Sequence, residues 1–212
     1  MHSYRIKMSS YTFPSFSSTS YLVKDENSFA VVFRNWLPKE ETKELFKYLE
    51  NIKGKQQYPI RLPYSDKFVL QKRLNWACGD ESISTHKYSG SAIPIIPWTS
   101  EIAIIRDRIH EEFKWYPNSC LLNEYRNGED VIGYHGDKEC SPPLNMVVTI
   151  SVGASRKFYF KRNSDRKVTK TVLNDGDLVL MFGEIQRKYK HCIPQEKRVK
   201  DKRYSLTFRE LR

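Results

Sequence analysis

The sequence lacks any apolar run long enough to span a membrane, and its first residues lack the apolar core of a secretory signal. It contains four cysteines, and no two of them form a CxxC pair, which argues against a zinc ribbon or a thioredoxin-like site. We therefore expect free thiols in a reducing compartment. The expected location is intracellular, either nuclear or cytoplasmic, with no membrane association and no secretion.

Acidic residues are in the minority: 25 Asp and Glu stand against 36 Lys and Arg, which gives the 212 residues a net charge of +11. This excess favours a polyanionic partner, most simply nucleic acid, over a basic protein that has no such partner. Hydrophobic residues make up 39% and aromatic residues 13% of the chain, so it can bury a core of its own. We predict one compact domain and expect a monomer.

Internal repeats are also absent, and the character of the sequence changes along the chain. Residues 1–28 are rich in Ser, Thr and Tyr without periodicity, which predicts a flexible N-terminal tail. The domain would span 29–212, with one amphipathic helix after Pro38 and a second at 97–113. From residue 119 onward, short strands alternate with turn signals. This order predicts an α+β fold, in which helices support an antiparallel sandwich or jelly roll.

The stretch GYHGDKE, residues 133–139, contains two potential metal ligands one residue apart. On a strand, His135 and Asp137 would point to the same side. His191 lies in a predicted strand far along the chain, and a jelly roll brings such distant strands together. Two histidines and one carboxylate leave coordination positions open, an arrangement that suits non-haem Fe(II) oxygenases.

Two other interpretations of these residues stay open at this point. An HxD pair occurs often by chance, and His191 alone could be an exposed residue of a strand. The two histidines could instead bind zinc together with Cys140 and Cys192, although this spacing fits no established zinc pattern.

A strand predicted near the end of the sequence, KRYSLTFREL, alternates polar and apolar residues. Four polar side chains would share one face: Arg203, Ser205, Thr207 and Arg209. We expect the apolar face to pack on the core and the polar face to line the inside of a barrel. Two enclosed guanidinium groups require an anion, and the gap between them suits a short dicarboxylate. The alternative is an ordinary basic strand in solvent.

Together these motifs resemble the AlkB family of Fe(II)- and 2-oxoglutarate-dependent dioxygenases. The resemblance covers residues 70–212, and it lies in the order of four motifs: NxY at 123–125, HxD at 135–137, a histidine at 191 and RxxxxxR at 203–209. It implies a double-stranded β-helix, with residues 53–91 of the domain as a nucleotide-recognition lid. It also implies Fe(II) as cofactor, with 2-oxoglutarate and O2 as cosubstrates.

The resemblance assigns roles at the reaction centre. His135, Asp137 and His191 would be the iron ligands and form the catalytic centre. Arg203 and Arg209 would bind the carboxylates of 2-oxoglutarate.

Further polar residues would line the cosubstrate pocket. The NxY pair, Asn123 and Tyr125, would hydrogen-bond 2-oxoglutarate, and Thr207 matches another polar lining position. Ser205 stands where the family commonly has Asn. Its hydroxyl is shorter than an amide, which would loosen cosubstrate binding modestly.

The resemblance also implies contacts with a nucleobase. Tyr88 would stack on one side of the base and the His135 ring on the other, while Glu139 would accept a hydrogen bond from the exocyclic amine. Trp76 is a second candidate for stacking, with ordinary core packing as the alternative. Phe68 is a candidate for insertion into a duplex.

Basic segments would contact the nucleic-acid backbone. These are the basic and aromatic stretch 53–73 and a predicted hairpin at 161–167.

The function implied is oxidative demethylation of N-alkylated bases, such as 1-methyladenine and 3-methylcytosine, with release of formaldehyde and succinate. The partner would be alkylated DNA or RNA, and the base would have to leave the duplex to reach the iron. One alternative is an oxygenase of the same fold that acts on a protein or a small molecule, because loops decide substrate choice in such folds. A catalytically silent nucleic-acid-binding module is the other.

Overall fold

The structure is a computed structural model, and it describes residues 19–61, 65–88, 90–137 and 146–211. The first half of this part contains β1 (Thr19–Lys24), β2 (Ser28–Phe33), α1 (Lys39–Asn51), β3 (Pro59–Arg61), β4 (Phe68–Leu70), β5 (Leu74–Gly79), β6 (Thr85–Tyr88), β7 (Ser91–Pro97) and α2 (Ser100–Phe113). The second half contains β8 (Ser119–Tyr125), β9 (Ile132–His135), β10 (Val147–Gly153), β11 (Arg156–Arg162), β12 (Val168–Leu173), β13 (Leu178–Gly183), α3 (Ile185–Lys188), β14 (Tyr189–Ile193) and β15 (Arg203–Arg209).

Two sheets make up the body of the domain. The nine-stranded main sheet has the order β1-β2-β13-β10-β15-β8-β5-β7-β6, and a four-stranded sheet has the order β12-β11-β14-β9. The two sheets share a hydrophobic cluster, in which Val147 and Val179 of the main sheet meet Phe158 and Phe160 of the smaller one. This two-layer arrangement is the predicted jelly roll, and it encloses a space between the sheets.

A second hydrophobic cluster lies between the main sheet and the two long helices. The apolar stripe of α2 is buried in this cluster, and it consists of Ile102, Ile105 and Ile109. The odd and even residues of β15 separate as predicted, because Leu206 and Phe208 lie in the same cluster. The polar residues of β15 therefore face the space between the sheets.

Ordered structure starts earlier than the sequence indicates. Residues 1–28 were predicted to be a tail, but Thr19–Lys24 forms β1, which pairs antiparallel with β2 at the edge of the main sheet. Pairing with β2 and the burial of Val23 stabilise this strand, although its sequence shows no clear periodicity. The prediction was wrong for this segment, and residues 1–18 lie outside the described part of the chain.

The predicted lid, residues 53–91, divides into two parts. β3 and β4 form a separate two-stranded sheet, whereas β5, β6 and β7 extend the main sheet. Two cations predicted to contact phosphates instead have partners inside the domain: the Lys55 side chain is 10% exposed and forms an ion pair with Glu124 at 2.7 Å, and the buried Arg73 donates to Asn123. These two residues are therefore not available to a nucleic-acid backbone.

None of the helices in the described part of the chain is both long and apolar enough to cross a membrane.

Candidate active site

Nine residues singled out in the sequence line one cavity between the two sheets. They come from strands β8, β9, β14 and β15 and from the turn after β9. The nine are Asn123, Tyr125, His135, Asp137, His191, Arg203, Ser205, Thr207 and Arg209.

The potential metal ligands meet on the small sheet. His135 and His191 are direct partners in the pairing of β9 with β14, and their ring centroids are 4.3 Å apart. One carboxylate oxygen of Asp137, Oδ2, lies 3.6 Å from Nε2 of His191, and Oδ1 lies 3.8 Å from Nε2 of His135. One ligand atom from each residue falls within 4.8 Å of the others, so the three can hold a metal ion.

Hydrogen bonds orient these ligands. Nδ1 of His135 lies 2.9 Å from the carbonyl oxygen of Gly133, so this nitrogen carries the proton and Nε2 keeps its lone pair. Asp137 accepts from Nη2 of Arg209 at 2.8 Å through Oδ1, and its backbone N–H donates to Oε1 of Gln186. The other oxygen, Oδ2, is buried and has no hydrogen-bond partner among the described residues. A buried carboxylate oxygen of this kind fits a bound cation.

Burial and neighbouring charges set the protonation of the cluster. Desolvation lowers the pKa of His191 to about 3, and it also lowers the pKa of His135. Burial alone would raise the pKa of Asp137, but the charge of Arg209 and the adjacent histidines outweigh it and hold that pKa well below its usual range. At neutral pH the cluster is therefore two neutral imidazoles and one carboxylate, the donor set that non-haem Fe(II) takes.

Gly136, between His135 and Asp137, has a steric role. A Cβ at this position would lie 2.6 Å from the backbone carbonyl oxygen of Gln186, which is closer than real contacts allow. The glycine lets the ligand-bearing turn pack directly against α3.

Arg203 lies across the cavity from the metal cluster and is 1% exposed. Its Nη2 donates to Oγ of Ser151 at 2.8 Å, and its guanidinium carbon lies 5.2 Å from the ring centre of Tyr125. Its Nε and Nη1 are buried and have no hydrogen-bond partner among the described residues. Burial lowers the pKa of Arg203 to about 10, so the side chain remains charged at neutral pH and fits an anion.

Asn123 is oriented by two residues that the sequence reasoning missed. Its Oδ1 accepts from Nε of Arg73 at 2.7 Å and from Nδ2 of Asn75 at 2.8 Å. The amide nitrogen of Asn123 is left to donate to another group. Register could have indicated Asn75, since it pairs with Asn123 between β5 and β8. Arg73 precedes β5, and no sequence pattern identified it.

Ser205 and Thr207 complete the polar lining. Ser205 pairs with Ser151 on one side and Asn123 on the other, so three short polar side chains form a row across the sheet. Oγ1 of Thr207 lies 3.5 Å from Oγ1 of Thr149. The structure thus brings both residues to the cavity.

The predicted base contacts have different outcomes. Trp76 is buried in the cluster between the main sheet and the helices, whereas the adjacent Asn75 points towards Asn123. Side chains alternate along a strand, so Trp76 points away from the cavity, and its assignment to the base was wrong. The side chain of Tyr88 and the whole of Glu139 lie outside the described residues.

A family model for the 2OG-Fe(II) oxygenase superfamily matches residues 29–209. This chain belongs to that superfamily. The match confirms the prediction of a dioxygenase that uses Fe(II), 2-oxoglutarate and O2. The donor set of the cavity agrees with it, since the cluster of two histidines and one carboxylate lies beside a buried arginine.

The relatives include two AlkB proteins, which confirms the resemblance to that family. An uncharacterized protein of Acanthamoeba polyphaga mimivirus is 28% identical over 164 residues, which cover 77% of this chain and 85% of the relative. The mouse DNA oxidative demethylase ALKBH2 is 32% identical over 142 residues, 63% of this chain and 59% of that protein. The human alpha-ketoglutarate-dependent dioxygenase alkB homolog 3 is 31% identical over 137 residues, 58% of this chain and 47% of that protein.

A solved structure supports the fold. The structure of OsALKBH1 superposes with a TM-score of 0.60 at 20% identity, covering 85% of this chain and 97% of that chain. The predicted jelly roll with supporting helices is thereby confirmed.

Proposed function

We propose that this dioxygenase removes N-linked methyl groups from damaged bases, such as 1-methyladenine and 3-methylcytosine, in DNA. Overall, the N-methyl group, O2 and 2-oxoglutarate would be converted to the restored N–H, formaldehyde, succinate and CO2. The proposal draws on the mouse relative, which is named as a DNA oxidative demethylase, and on the basic charge of the chain. RNA is a second polymer to be tested.

The observation that carries the proposal is a juxtaposition in one cavity. A cluster that can hold a metal ion and a buried arginine with unpartnered N–H groups face the same space. We assign the iron to His135, Asp137 and His191, and one carboxylate of 2-oxoglutarate to Arg203. Bound iron would supply the activation of O2. The second arginine, Arg209, would act mainly through Asp137, with which it forms an ion pair.

The remaining polar residues would position the cosubstrate. The amide nitrogen of Asn123 would donate to it, because Arg73 and Asn75 already occupy the amide oxygen. Tyr125 supports the guanidinium of Arg203 through its ring. Ser151, Ser205 and Asn123 have short side chains, so their row would leave room for the carbon chain of 2-oxoglutarate.

Apolar side chains would keep water away from the reacting atoms. Leu121, Ile132, Phe158 and Ile193 line the same cavity, and the ring centroid of Phe158 lies 5.5 Å from that of His191. An apolar wall of this kind strengthens the electrostatic contacts inside it and limits side reactions with water.

The β3–β4 hairpin is our candidate for contact with a duplex. Its residues Phe68 and Leu70 are 53% and 62% exposed, although both are apolar. The ring of Phe68 lies against Gly90, in the turn that follows β6 and its last residue, Tyr88. The proposed lid would therefore present Phe68 to the stacked base pairs of the duplex. Tyr88, His135 and Glu139 would contact the base that has left the duplex.

Formaldehyde release tests this function. Purified protein would be incubated with Fe(II), 2-oxoglutarate and oligonucleotides that contain 1-methyladenine or 3-methylcytosine, as single and double strands of DNA and RNA. We expect formaldehyde in step with restored base on at least one DNA form. Turnover of 2-oxoglutarate without demethylation of any of these oligonucleotides would overturn the proposal and favour a protein or small-molecule substrate.

The variant Asp137→Ala should abolish turnover, with Lys43→Ala on the exposed face of α1 as its matched control. Demethylation by Asp137→Ala supplied with excess Fe(II) would contradict the ligand assignment.

A further inference from the structure

The outer face of the four-stranded sheet carries an unusual set of side chains. Strands β9, β11, β12 and β14 contain no acidic residue, and four of their six basic residues, all lysines, point outwards. Six of the outward side chains define what we call the outer face: Tyr134, Lys157, Tyr159, Lys161, Lys170 and Lys190. This face lies on the reverse of the wall that carries His135 and His191, so it takes no part in the site described above.

Strand alternation establishes which side chains point outwards. On β11, Phe158 and Phe160 are buried in the cluster between the sheets, whereas Lys157, Tyr159 and Lys161 are more exposed. Register then extends the assignment to the neighbouring strands, because Tyr159 pairs with Lys170 of β12 on one side and Cys192 of β14 on the other.

The two tyrosines lie in one row across the sheet. Tyr159 on β11 is the partner of Cys192 on β14, and Tyr134 directly precedes His135, the partner of His191 on the other side of β14. The rings are therefore two strands apart, or about 10 Å at the usual spacing of strands. Both side chains are half-buried, so each is held by the sheet and part of its ring is open to solvent.

Cations surround the two rings. Nζ of Lys161 lies 3.8 Å from the ring centre of Tyr134, and Nζ of Lys170 lies 5.4 Å from that of Tyr159. Lys157 forms a long ion pair with Glu196 at 3.6 Å. Within the described residues, no carboxylate forms an ion pair with Lys161, Lys170 or Lys190. Their charge is therefore not neutralised by a carboxylate in this part of the chain, although two of the three ammonium groups also contact tyrosine rings.

We propose that the outer face binds a single strand of DNA, with bases stacked on Tyr134 and Tyr159 and phosphates on the lysines. A sheet face on which aromatic rings lie among lysines suits unpaired bases, whose faces a duplex would hide. The strand could pass from the cavity to this face around β9, because β9 is the edge of its sheet. The choice of DNA over other single-stranded nucleic acids rests on the proposed function. The stacking and the charge complementarity rest only on the residues of the outer face.

Binding of an unmodified oligonucleotide tests the proposal without any chemistry. Fluorescence anisotropy of labelled (dT)15 would be measured with the full-length protein in the absence of 2-oxoglutarate. Tyr159→Ala should bind at least about fivefold more weakly, since one base loses its stacking partner. Tyr159→Phe keeps the ring and should bind like the wild type. Equal affinities for all three proteins would overturn the proposal.

Salt dependence gives a second readout that does not depend on the tyrosines. The double variant Lys161→Gln/Lys190→Gln should reduce the slope of log affinity against log salt by about 1.4, because each phosphate contact with a single strand contributes about 0.7. Its matched control is Lys39→Gln/Lys43→Gln, two exposed lysines on α1, which should leave the slope unchanged. An equal reduction in both double variants would show only a general charge effect and would overturn the proposal.

Two further measurements distinguish DNA from RNA as the ligand, and this proposal from the proposed function. If (U)15 responds to the variants and (dT)15 does not, the choice of DNA is wrong. Turnover of a methylated trinucleotide and a methylated 15-mer would then be compared: Tyr159→Ala should raise KM for the 15-mer alone. If no protein demethylates either oligonucleotide but Tyr159→Ala still binds (dT)15 more weakly, the proposed function fails and the DNA-binding face stands.

Discussion

Arg209 and Asp137 form a buried ion pair in which Nη2 donates to Oδ1 at 2.8 Å, with side-chain exposures of 5% and 1%. The pair occupies one oxygen of the carboxylate and leaves Oδ2 directed towards His191. Arg209 thus orients a potential metal ligand, in addition to lining the cavity where 2-oxoglutarate is expected. This relationship makes the arginine a positioning residue for the metal as well as a candidate for cosubstrate binding.

The first prediction concerns Arg209→Gln. Loss of the ion pair removes the orienting partner of Asp137, so we expect affinity for a divalent metal to fall by about 10- to 100-fold. Isothermal titration of the protein with Co(II) would measure the change. Arg209→Lys keeps the charge but not the planar guanidinium, so its affinity for Co(II) should lie between those of the wild type and Arg209→Gln. Unchanged Co(II) affinity in Arg209→Gln would contradict a positioning role.

The second prediction concerns Arg203→Met. The guanidinium offers two N–H groups with no partner among the described residues, and each charge-assisted hydrogen bond contributes about 1.5–3 kcal/mol. We expect KM for 2-oxoglutarate to rise by at least about tenfold, while affinity for the metal stays close to that of the wild type. Steady-state kinetics at varied 2-oxoglutarate would measure KM, and Co(II) titration is the control. The assignment fails if KM is unchanged in a variant that still folds.

Much of this site follows from local rules. His135 and Asp137 share a side because residues two apart on an extended chain do so, and the same rule brings Arg203, Ser205, Thr207 and Arg209 to one face. Arg73 could not be found in this way. Its partner Asn123 is 50 residues away, and that contact depends on how β5 pairs with β8. Long-range pairing is set by the whole fold and not by a local pattern.

The third prediction concerns Ser205→Asn, which introduces the residue that the AlkB family commonly has here. Ser205 faces the cavity beside Ser151 and Asn123. A longer amide can reach the cosubstrate where the hydroxyl cannot, so we expect KM for 2-oxoglutarate to fall by about two- to tenfold, the effect of one neutral hydrogen bond. Kinetics at varied 2-oxoglutarate would measure it, with Ser155→Asn in an exposed turn as the matched control. A higher KM would show that the cavity has no room for the amide.

The fourth prediction concerns Trp76, for which the alternative of core packing is the correct one. An aromatic residue in a basic segment resembled a stacking residue, but a shift of one position along a strand reverses the face, and composition cannot reveal it. Because Trp76 packs in the core, Trp76→Ala should lower the free energy of unfolding by about 3–5 kcal/mol. Urea unfolding would measure the loss. The milder Trp76→Phe should fold and keep the wild-type KM for a methylated oligonucleotide; a selective rise in that KM would restore Trp76 to the substrate site.

The fifth prediction concerns the pH dependence of stability in the metal-free protein. Desolvation lowers the pKa of His191 to about 3 from 6.5. In the unfolded chain His191 is therefore protonated as the pH falls through about 6.5, whereas in the folded chain it is protonated only near pH 3. Below pH 6.5 the free energy of unfolding should fall by up to about 1.4 kcal/mol per pH unit for this histidine, and its share of the decline should end near the folded pKa. The pKa of Asp137 is also lowered, so its stabilising share is lost only below pH 3.8, where the unfolded carboxyl begins to bind protons.

Urea unfolding between pH 4 and 7, in the presence of a chelator, separates these contributions. In this range the free energy of unfolding of His191→Gln should fall less steeply with decreasing pH than that of the wild type. The variant lacks the imidazole that is protonated in the unfolded chain but not in the folded chain. His110→Gln is the matched control, since it replaces a histidine that is exposed on α2. Equal slopes for His191→Gln and the wild type would mean that the imidazole of His191 is protonated as readily in the folded chain as in the unfolded one. That outcome would contradict the enclosed, neutral histidine on which the proposed iron site depends.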